Sequence, residues 1–242
     1  MKYGIISDIH GNLEAFRVVL ERIGGLDKHI CLGDMVGYGP NPNECVDLAH
    51  EHKIPTVAGN HDKACTGELN VTWFNRDAAD AIRWTQRELK TSSLEFLKDL
   101  PTHLEFEDFE IVHGSLRNHV EEYIMSLFDA MPTFELMKKP LLFVGHTHVP
   151  ACVVMKQNGD FDGWKLEDGD VVGLKEFKKA ILNVGGVGQP RDGDPRASYG
   201  VYDSEKKEVS IYRVPYDISK VQVKMREAGL PVHLIERLEY GM

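Results

Sequence analysis

Seven residues with metal-liganding side chains, Asp8, His10, Asp34, Asn60, His113, His146 and His148, lie in five short motifs. The motifs are Ser7-Asp8-Ile9-His10-Gly11, Gly33-Asp34, Gly59-Asn60-His61-Asp62, Val112-His113-Gly114 and Gly145-His146-Thr147-His148. Carboxylate, amide and imidazole donors without a thiolate suit borderline divalent ions such as Mn, Fe, Zn or Co. Seven donors exceed what one tetrahedral ion takes, so two ions are the economical reading. Alternation in Asp8-x-His10 and His146-x-His148 would put each pair on one side of an extended backbone, ready to clasp a common centre. Taken singly, each motif has a bland reading as a turn, a surface pair or a core histidine, and only the joint pattern points to chemistry. That chemistry is activation of water: a pKa of about 15.7 falls to about 7 on one bound zinc, so hydroxide becomes available at neutral pH.

Five loops converge only if the fold brings them together. Each motif follows an apolar, β-rich run: Lys2 to Ser7, His29 to Leu32, Ile54 to Ala58, Phe106 to Val112 and Leu141 to Val144. Helices are expected over Leu13 to Ile23 and near Glu44 to His52, giving an alternation that implies a largely parallel α/β core. Ligands of such sheets collect beyond the carboxyl ends of the strands. Between Asn75 and Leu100 two further helices are expected, the second with a capping box from Ser92 to Glu95. Strands at Cys152 to Met155, Ala180 to Leu182, Tyr199 to Tyr202 and Val209 to Val214 follow, with a hairpin at Asn158-Gly159. Two tail helices close the chain, the first stopped by Gly229, the second opened by Pro231 in its first turn and closed by Gly241. The expected organisation is one domain over 1–242, with a helical insertion at about 72–100 and tail helices at about 217–241.

A formal net charge of −10 argues against generic affinity for nucleic acid, because each phosphate contact needs a cationic side chain. Any anionic substrate therefore needs a local positive feature, which a pair of dications supplies. No apolar run approaches the roughly 20 residues of a membrane span. The four cysteines, Cys31, Cys45, Cys65 and Cys152, form no Cys-x-x-Cys pair, and a reducing, cytoplasmic setting is expected.

Together the five motifs resemble those of the calcineurin-like metallophosphoesterases. The resemblance extends to Gly33-Asp34-Met35-Val36-Gly37-Tyr38-Gly39-Pro40, to the run from Gly188-Gln189-Pro190-Arg191 through Ala197-Ser198-Tyr199, and to Ala228-Gly229-Leu230-Pro231, which look like one prokaryotic branch. It implies an α/β fold, a two-sheet β-sandwich flanked by helices in four α/β/β/α layers. It implies that Asp8, His10 and His148 hold one metal, that Asn60, His113 and His146 hold the other, and that Asp34 bridges them. The implied catalytic residue is His61, facing the substrate, with Asp62 or another carboxylate orienting its ring. The implied activity is hydrolysis of a small phosphate ester, mono- or diester, by a bridging hydroxide. Two departures stand out. Gly37 occupies the place where phosphoprotein phosphatases of the superfamily carry an aspartate, and Asn183-Val184-Gly185-Gly186 replaces the branch's more usual Asn-Pro-Gly-Ser.

Other residues carry two readings each. Asn12 either donates to a substrate phosphate or caps the first helix, and Arg191 and Arg196 either clamp a phosphate or form salt bridges within their loop. Trp73, Phe74 and Trp84 pack inward or wall a pocket, with inward packing expected. The glycine runs at 37–39 and 185–188 lack the full nucleotide-binding patterns and read as turns. His29, His50, His52, His103, His119 and His233 have no motif context and read as structural or surface residues. Two alternatives to a simple phosphoesterase stand: a dinucleoside-polyphosphate hydrolase, and a non-catalytic protein-binding scaffold like the retromer subunit of this fold. A homo-oligomer is compatible with the sequence.

Overall fold

The computed structural model describes all 242 residues. Its strands are β1 (Lys2–Ile6), β2 (Lys28–Cys31), β3 (His103–Glu105), β4 (Phe109–Val112), β5 (Leu141–Val144), β6 (Ala151–Lys156), β7 (Phe161–Lys165), β8 (Val171–Gly173), β9 (Phe177–Asn183), β10 (Ala197–Asp203) and β11 (Glu208–Val214). The helices are α1 (Leu13–Ile23), α2 (Pro42–Glu51), α3 (Asn60–Cys65), α4 (Arg76–Glu88), α5 (Thr91–Lys98), α6 (Leu127–Leu136), α7 (Ile218–Glu227) and α8 (Val232–Glu236). One sheet runs β2-β1-β10-β11-β8 and the other β3-β4-β5-β9-β6-β7.

Alternation along the strands builds the layers. Tyr3 and Ile5 of β1 meet Phe109 and Ile111 of β4, and Leu141 and Phe143 of β5, in the core between the sheets. The opposite face of β1 packs Ile6 against Phe16, Val19 and Ile23 of α1, while Leu142 and Val144 of β5 pack outward on Ala130 and Phe134 of α6. The result is the α/β/β/α sandwich, since each sheet buries both faces.

The sheets are mixed rather than largely parallel. β1 pairs in parallel with β2, and β5 lies parallel to both β4 and β9, but the other pairings are antiparallel. The parallel strands are the ones that carry the site, so helix-and-strand alternation describes that part of the chain only.

Several elements differ from the sequence expectation. Ile54 to Ala58 makes one isolated bridge, Cys31 with Thr56, because Ala58 N donates to Pro101 O at 2.8 Å and the chain then turns into α3. Phe106 to Val112 is a hairpin end rather than one strand, with Phe106 N bonded to Phe109 O at 2.8 Å. The Ser92–Glu95 capping box is absent. The helix opens two residues earlier, after Lys90, whose N–H donates to Asn43 Oδ1 at 2.8 Å. Pro132 lies inside α6, a position that reads as a helix breaker in sequence and hid that helix. Pro231 is the N-cap of α8 rather than part of its first turn, and that helix passes into a 3-10 turn, Arg237–Glu239, before Gly241.

Candidate metal centre

The site lies beyond the carboxyl ends of β1, β2, β4 and β5, with Asn60 and His61 supplied by the first turn of α3. The chain segments after β1 and β2 stay zipped together: Asp8 N donates to Gly33 O at 3.0 Å and His10 N to Asp34 O at 2.9 Å. The two histidine-containing pairs do not use an extended backbone. Asp8 (φ 54°), His10 (49°), Asp34 (53°), His146 (69°) and His148 (59°) all adopt left-handed conformations. Each such residue costs on the order of 1–2 kcal/mol. Asp and His tolerate this region better than most residues, and strain concentrated on five liganding side chains marks a functional site.

The donor atoms divide into two groups that share one residue. Asp8, His10, Asp34 and His148 converge within 4.8 Å of one another, as do Asp34, His113 and His146. Asn60 joins the second group, its Oδ1 lying 3.2 Å from His113 Nε2. Asp34 stands between the groups, with Oδ2 3.6 Å from His10 Nε2 and 3.4 Å from His113 Nε2. Its other oxygen accepts from His61 N at 2.9 Å, and a Cβ on Gly59 would fall 2.0 Å from it, so residue 59 has room only for glycine.

Backbone carbonyls fix the ring tautomers. His10 Nδ1 donates to Val36 O (3.1 Å), His113 Nδ1 to Leu32 O (2.9 Å), His148 Nδ1 to Gln189 O (2.5 Å) and His146 Nε2 to Glu121 O (3.1 Å). A neutral ring that donates from one nitrogen presents a lone pair on the other. The freed nitrogens face each other: His10 Nε2 and His148 Nε2 are 3.1 Å apart, and His113 Nε2 is 3.2 Å from His146 Nδ1. Both oxygens of Asp8 and Oδ2 of Asp34 are buried with no hydrogen-bond partner. Lone pairs and orphaned carboxylate oxygens packed together repel unless cations sit among them. The donor set therefore fits divalent metal.

In the bare protein a proton takes part of that role. Burial alone would lower His113, but the Asp34 carboxylate beside it prevails and raises it to about 9. Burial would likewise raise Asp34, and the His113 charge instead holds it well below the usual carboxylate range. A metal must displace the His113 proton, which is bound below pH about 9, so affinity should rise with pH up to that value. Calorimetry with manganese at pH 6.5, 7.5 and 8.5 checks the sign, and a flat or falling profile contradicts this account. At about 100 times Kd the ion adds about 2.7 kcal/mol. For a chain of this length the melting temperature should then rise by roughly 5–11 °C, readable by scanning calorimetry before and after chelation.

His61 is 3% exposed, and its Nδ1 has no partner. Its ring is held by packing, with centroids 4.3 Å from Tyr38, 4.9 Å from His10 and 5.1 Å from Phe74. Burial, partly opposed by Asp34, pushes it down to about 4, so the ring is neutral in the bare site. No carboxylate orients it. Asp62 instead accepts from Met35 N (2.9 Å), Val36 N (3.2 Å) and Gly59 N (3.0 Å), bracing the loops that carry Asp34 and Asn60. An aspartate at 37 has no room, because a Cβ on Gly37 would fall 2.5 Å from His61 Nδ1 and that residue has φ +86°.

Asn60, His61 and His146 open onto a cleft of about 480 Å³ whose other walls include Trp73, Phe74, Tyr123, Arg191 and Arg237. Trp73 does not pack inward; it is 74% exposed at the rim. Arg191 lies in the cleft, whereas Arg196 is tied to Asp194 and Asp168 within its own region. Asn12 is the cap: its Oδ1 accepts from Ala15 N (3.1 Å), its amide nitrogen donates to Gly188 O (2.9 Å), and it is 2% exposed, which takes it out of the substrate-binding set.

Sequence reasoning missed Tyr123, whose ring stacks on His146 at 3.7 Å, and Arg237, neither of which stands in a motif. It also missed the task of Asn183, which follows from its place at the end of β9. Its amide donates to Gly145 O (2.5 Å) and Thr147 Oγ1 (3.0 Å), holding the Gly-His-x-His loop.

Comparison with known proteins agrees with this geometry. Residues 1–207 match the model of the calcineurin-like phosphoesterase superfamily domain. MJ0912 of Methanocaldococcus jannaschii is 39% identical over 241 residues, covering 98% of this chain and 97% of its own length. The asymmetrical bis(5'-nucleosyl)-tetraphosphatase PrpE of Bacillus thuringiensis is 25% identical over 222 residues, covering 79% and 81%. A crystal structure of a metallophosphoesterase from Sphaerobacter thermophilus superposes with a TM-score of 0.91 at 42% identity, covering 100% of both chains. With its layered sheets, its buried Asp/His cluster and a match across most of its length, the chain belongs to the calcineurin-like phosphoesterase superfamily and is a metallophosphoesterase.

Proposed function

We propose that the chain, acting as one domain, hydrolyses phosphate esters at a dinuclear centre. Asp8, His10 and His148 hold one ion, Asn60, His113 and His146 the other, and Asp34 both. The observation that carries this reading is the pair of donor groups sharing Asp34, each with lone pairs turned inward by backbone carbonyls. Two divalent ions supply, when bound, an acidified water as hydroxide and positive charge for the phosphoryl oxygens.

The chain's own residues do the rest. Carbonyls of Leu32, Val36, Glu121 and Gln189 keep the imidazoles in the liganding tautomer. His61 faces the substrate, where a phosphate dianion raises its proton affinity, and it delivers a proton to the departing oxygen as the water oxygen bonds to phosphorus. Arg191 holds a phosphoryl oxygen from across the cleft. A protein-binding scaffold needs none of this arrangement. Four free, buried cysteines support a reducing, cytoplasmic setting, and no helix is long and apolar enough to cross a membrane.

Elemental analysis after loading with Mn, Fe, Zn or Co, joined to hydrolysis of p-nitrophenyl phosphate and bis-p-nitrophenyl phosphate, tests the proposal. About two ions per chain and turnover with at least one ester are expected. Metal content near zero after reloading would sink it. The Bacillus relative favours a second reading within the same chemistry, a dinucleoside polyphosphate as substrate.

A further inference from the structure

A second groove, of about 430 Å³, shares two lining residues, Tyr123 and Arg191, with the cleft that holds His61. It runs along the Gly-His-x-His loop: Thr147, between the liganding His146 and His148, lines it together with Val149 and Ala151. Both shared residues touch that loop. Tyr123 stacks on His146 with ring centroids 3.7 Å apart, and the main-chain N of Arg191 donates to His148 O at 3.3 Å. The groove therefore begins at the liganding residues and leads away from them on the side that His61 and Asn60 do not line.

Few side chains in this groove can hydrogen-bond an occupant. The Thr147 hydroxyl is saturated, since it donates to Val149 O (3.3 Å) and accepts from Val149 N (3.2 Å) and Asn183 Nδ2 (3.0 Å). Ile124, Met125, Val149 and Ala151 supply apolar surface, and Met125, 79% exposed, gains from being covered. The charged residues, Arg191 and Lys165, are both cations and disfavour a cationic occupant. With His61 protonating the departing oxygen, the leaving arm of a substrate occupies the first cleft, beside Trp73 and Phe74. A diester carries a further arm, whose bond diverges from the leaving bond at phosphorus. Arg191, which holds a phosphoryl oxygen, stands where the two spaces adjoin, so the second arm has this groove to enter.

We propose that the groove is the subsite for the retained arm of a phosphodiester and that it selects an apolar, non-cationic arm. This inference rests on the phosphoesterase reading of the adjoining cluster. The test compares methyl p-nitrophenyl phosphate with phenyl p-nitrophenyl phosphate on the manganese-loaded full chain. These diesters share charge and leaving group and differ in the retained arm. Burying a phenyl ring in a partly open groove should raise kcat/KM on the order of 10-fold over methyl. Met125→Asp, at a side chain too exposed to matter for folding, should remove most of that preference, and so should Ala151→Phe, which fills the groove. Calorimetric titration with diphenylphosphinate and methyl(phenyl)phosphinate, whose P–C bonds are not hydrolysed, should show the same preference as affinity. Equal kcat/KM for the two diesters in wild type, or a phenyl preference that both variants leave intact, overturns the subsite. The two ideas fail separately. Turnover of both diesters without a phenyl preference leaves the phosphoesterase reading and removes the subsite. A diphenylphosphinate preference that the groove variants abolish, in a protein that hydrolyses no ester, does the reverse.

Discussion

Asp34→Asn is expected to lower turnover more than any other single ligand change, by on the order of 10³-fold or more. Loss of one preorganised charge-stabilising donor typically costs about 10²–10³, and Asp34 serves both donor groups whereas each other residue serves one. The fold should survive. An amide oxygen can still accept from His61 N, as Asp34 Oδ1 does at 2.9 Å. The new NH2 would then face His10 Nε2 and His113 Nε2, now 3.6 and 3.4 Å from Oδ2, and could donate to the lone pair of the neutral His10 ring. The metal-free variant loses the Asp34 charge that holds the His113 proton, so it should melt lower than metal-free wild type, while the rise in melting temperature on adding manganese disappears and both occupancies fall together. Retention of both ions with full turnover in Asp34→Asn, alongside their loss in His148→Ala, would show that the bridge has been placed on the wrong residue.

His61→Ala separates chemistry from metal binding. The ring lies outside both donor groups and packs on the rings of Tyr38, His10 and Phe74. A positioned acid typically contributes about 10²- to 10⁴-fold, so turnover should drop by that order with metal content unchanged. The loss should shrink for p-nitrophenyl esters, whose leaving group departs as a stable anion. An equal loss on activated and unactivated esters would mean that His61 holds phosphoryl oxygens instead of delivering a proton. Collapse of metal content along with activity would make it a ligand. The contrast with Asp62→Asn is informative, because Asp62 braces Met35, Val36 and Gly59 without touching the His61 ring. That change should lower melting temperature and metal content together.

The chemistry of the site was legible in the sequence because ligand identity is a property of side-chain type, and four of the five motifs keep their place at strand ends, the Gly59-Asn60 motif opening a helix instead. Periodicity likewise exposed α1, α4 and most strands, since a buried face imposes its spacing on the residues that form it. The helix α6 escaped because Pro132 contradicts local propensity, while packing of Ala130 and Phe134 on the outer sheet face overrides it. The extended segment at 54–58 escaped for the opposite reason. Its apolar run reads as a strand, but after one bridge its backbone partners lie elsewhere.

By itself, then, the sequence determined which side chains are available to a metal and that strand ends carry all but Asn60. Only the tertiary structure decided how they are presented. Left-handed backbone at five ligands, rather than strand alternation, aims the side chains, and distant carbonyls choose each ring's tautomer. Tertiary contacts also decided that Asp62 braces loops and leaves His61 to aromatic packing, and that Arg237 and Arg191 line one cleft. Such relations join residues up to 81 positions apart, and no local spacing records them, because they depend on which surfaces meet once the sheets have packed.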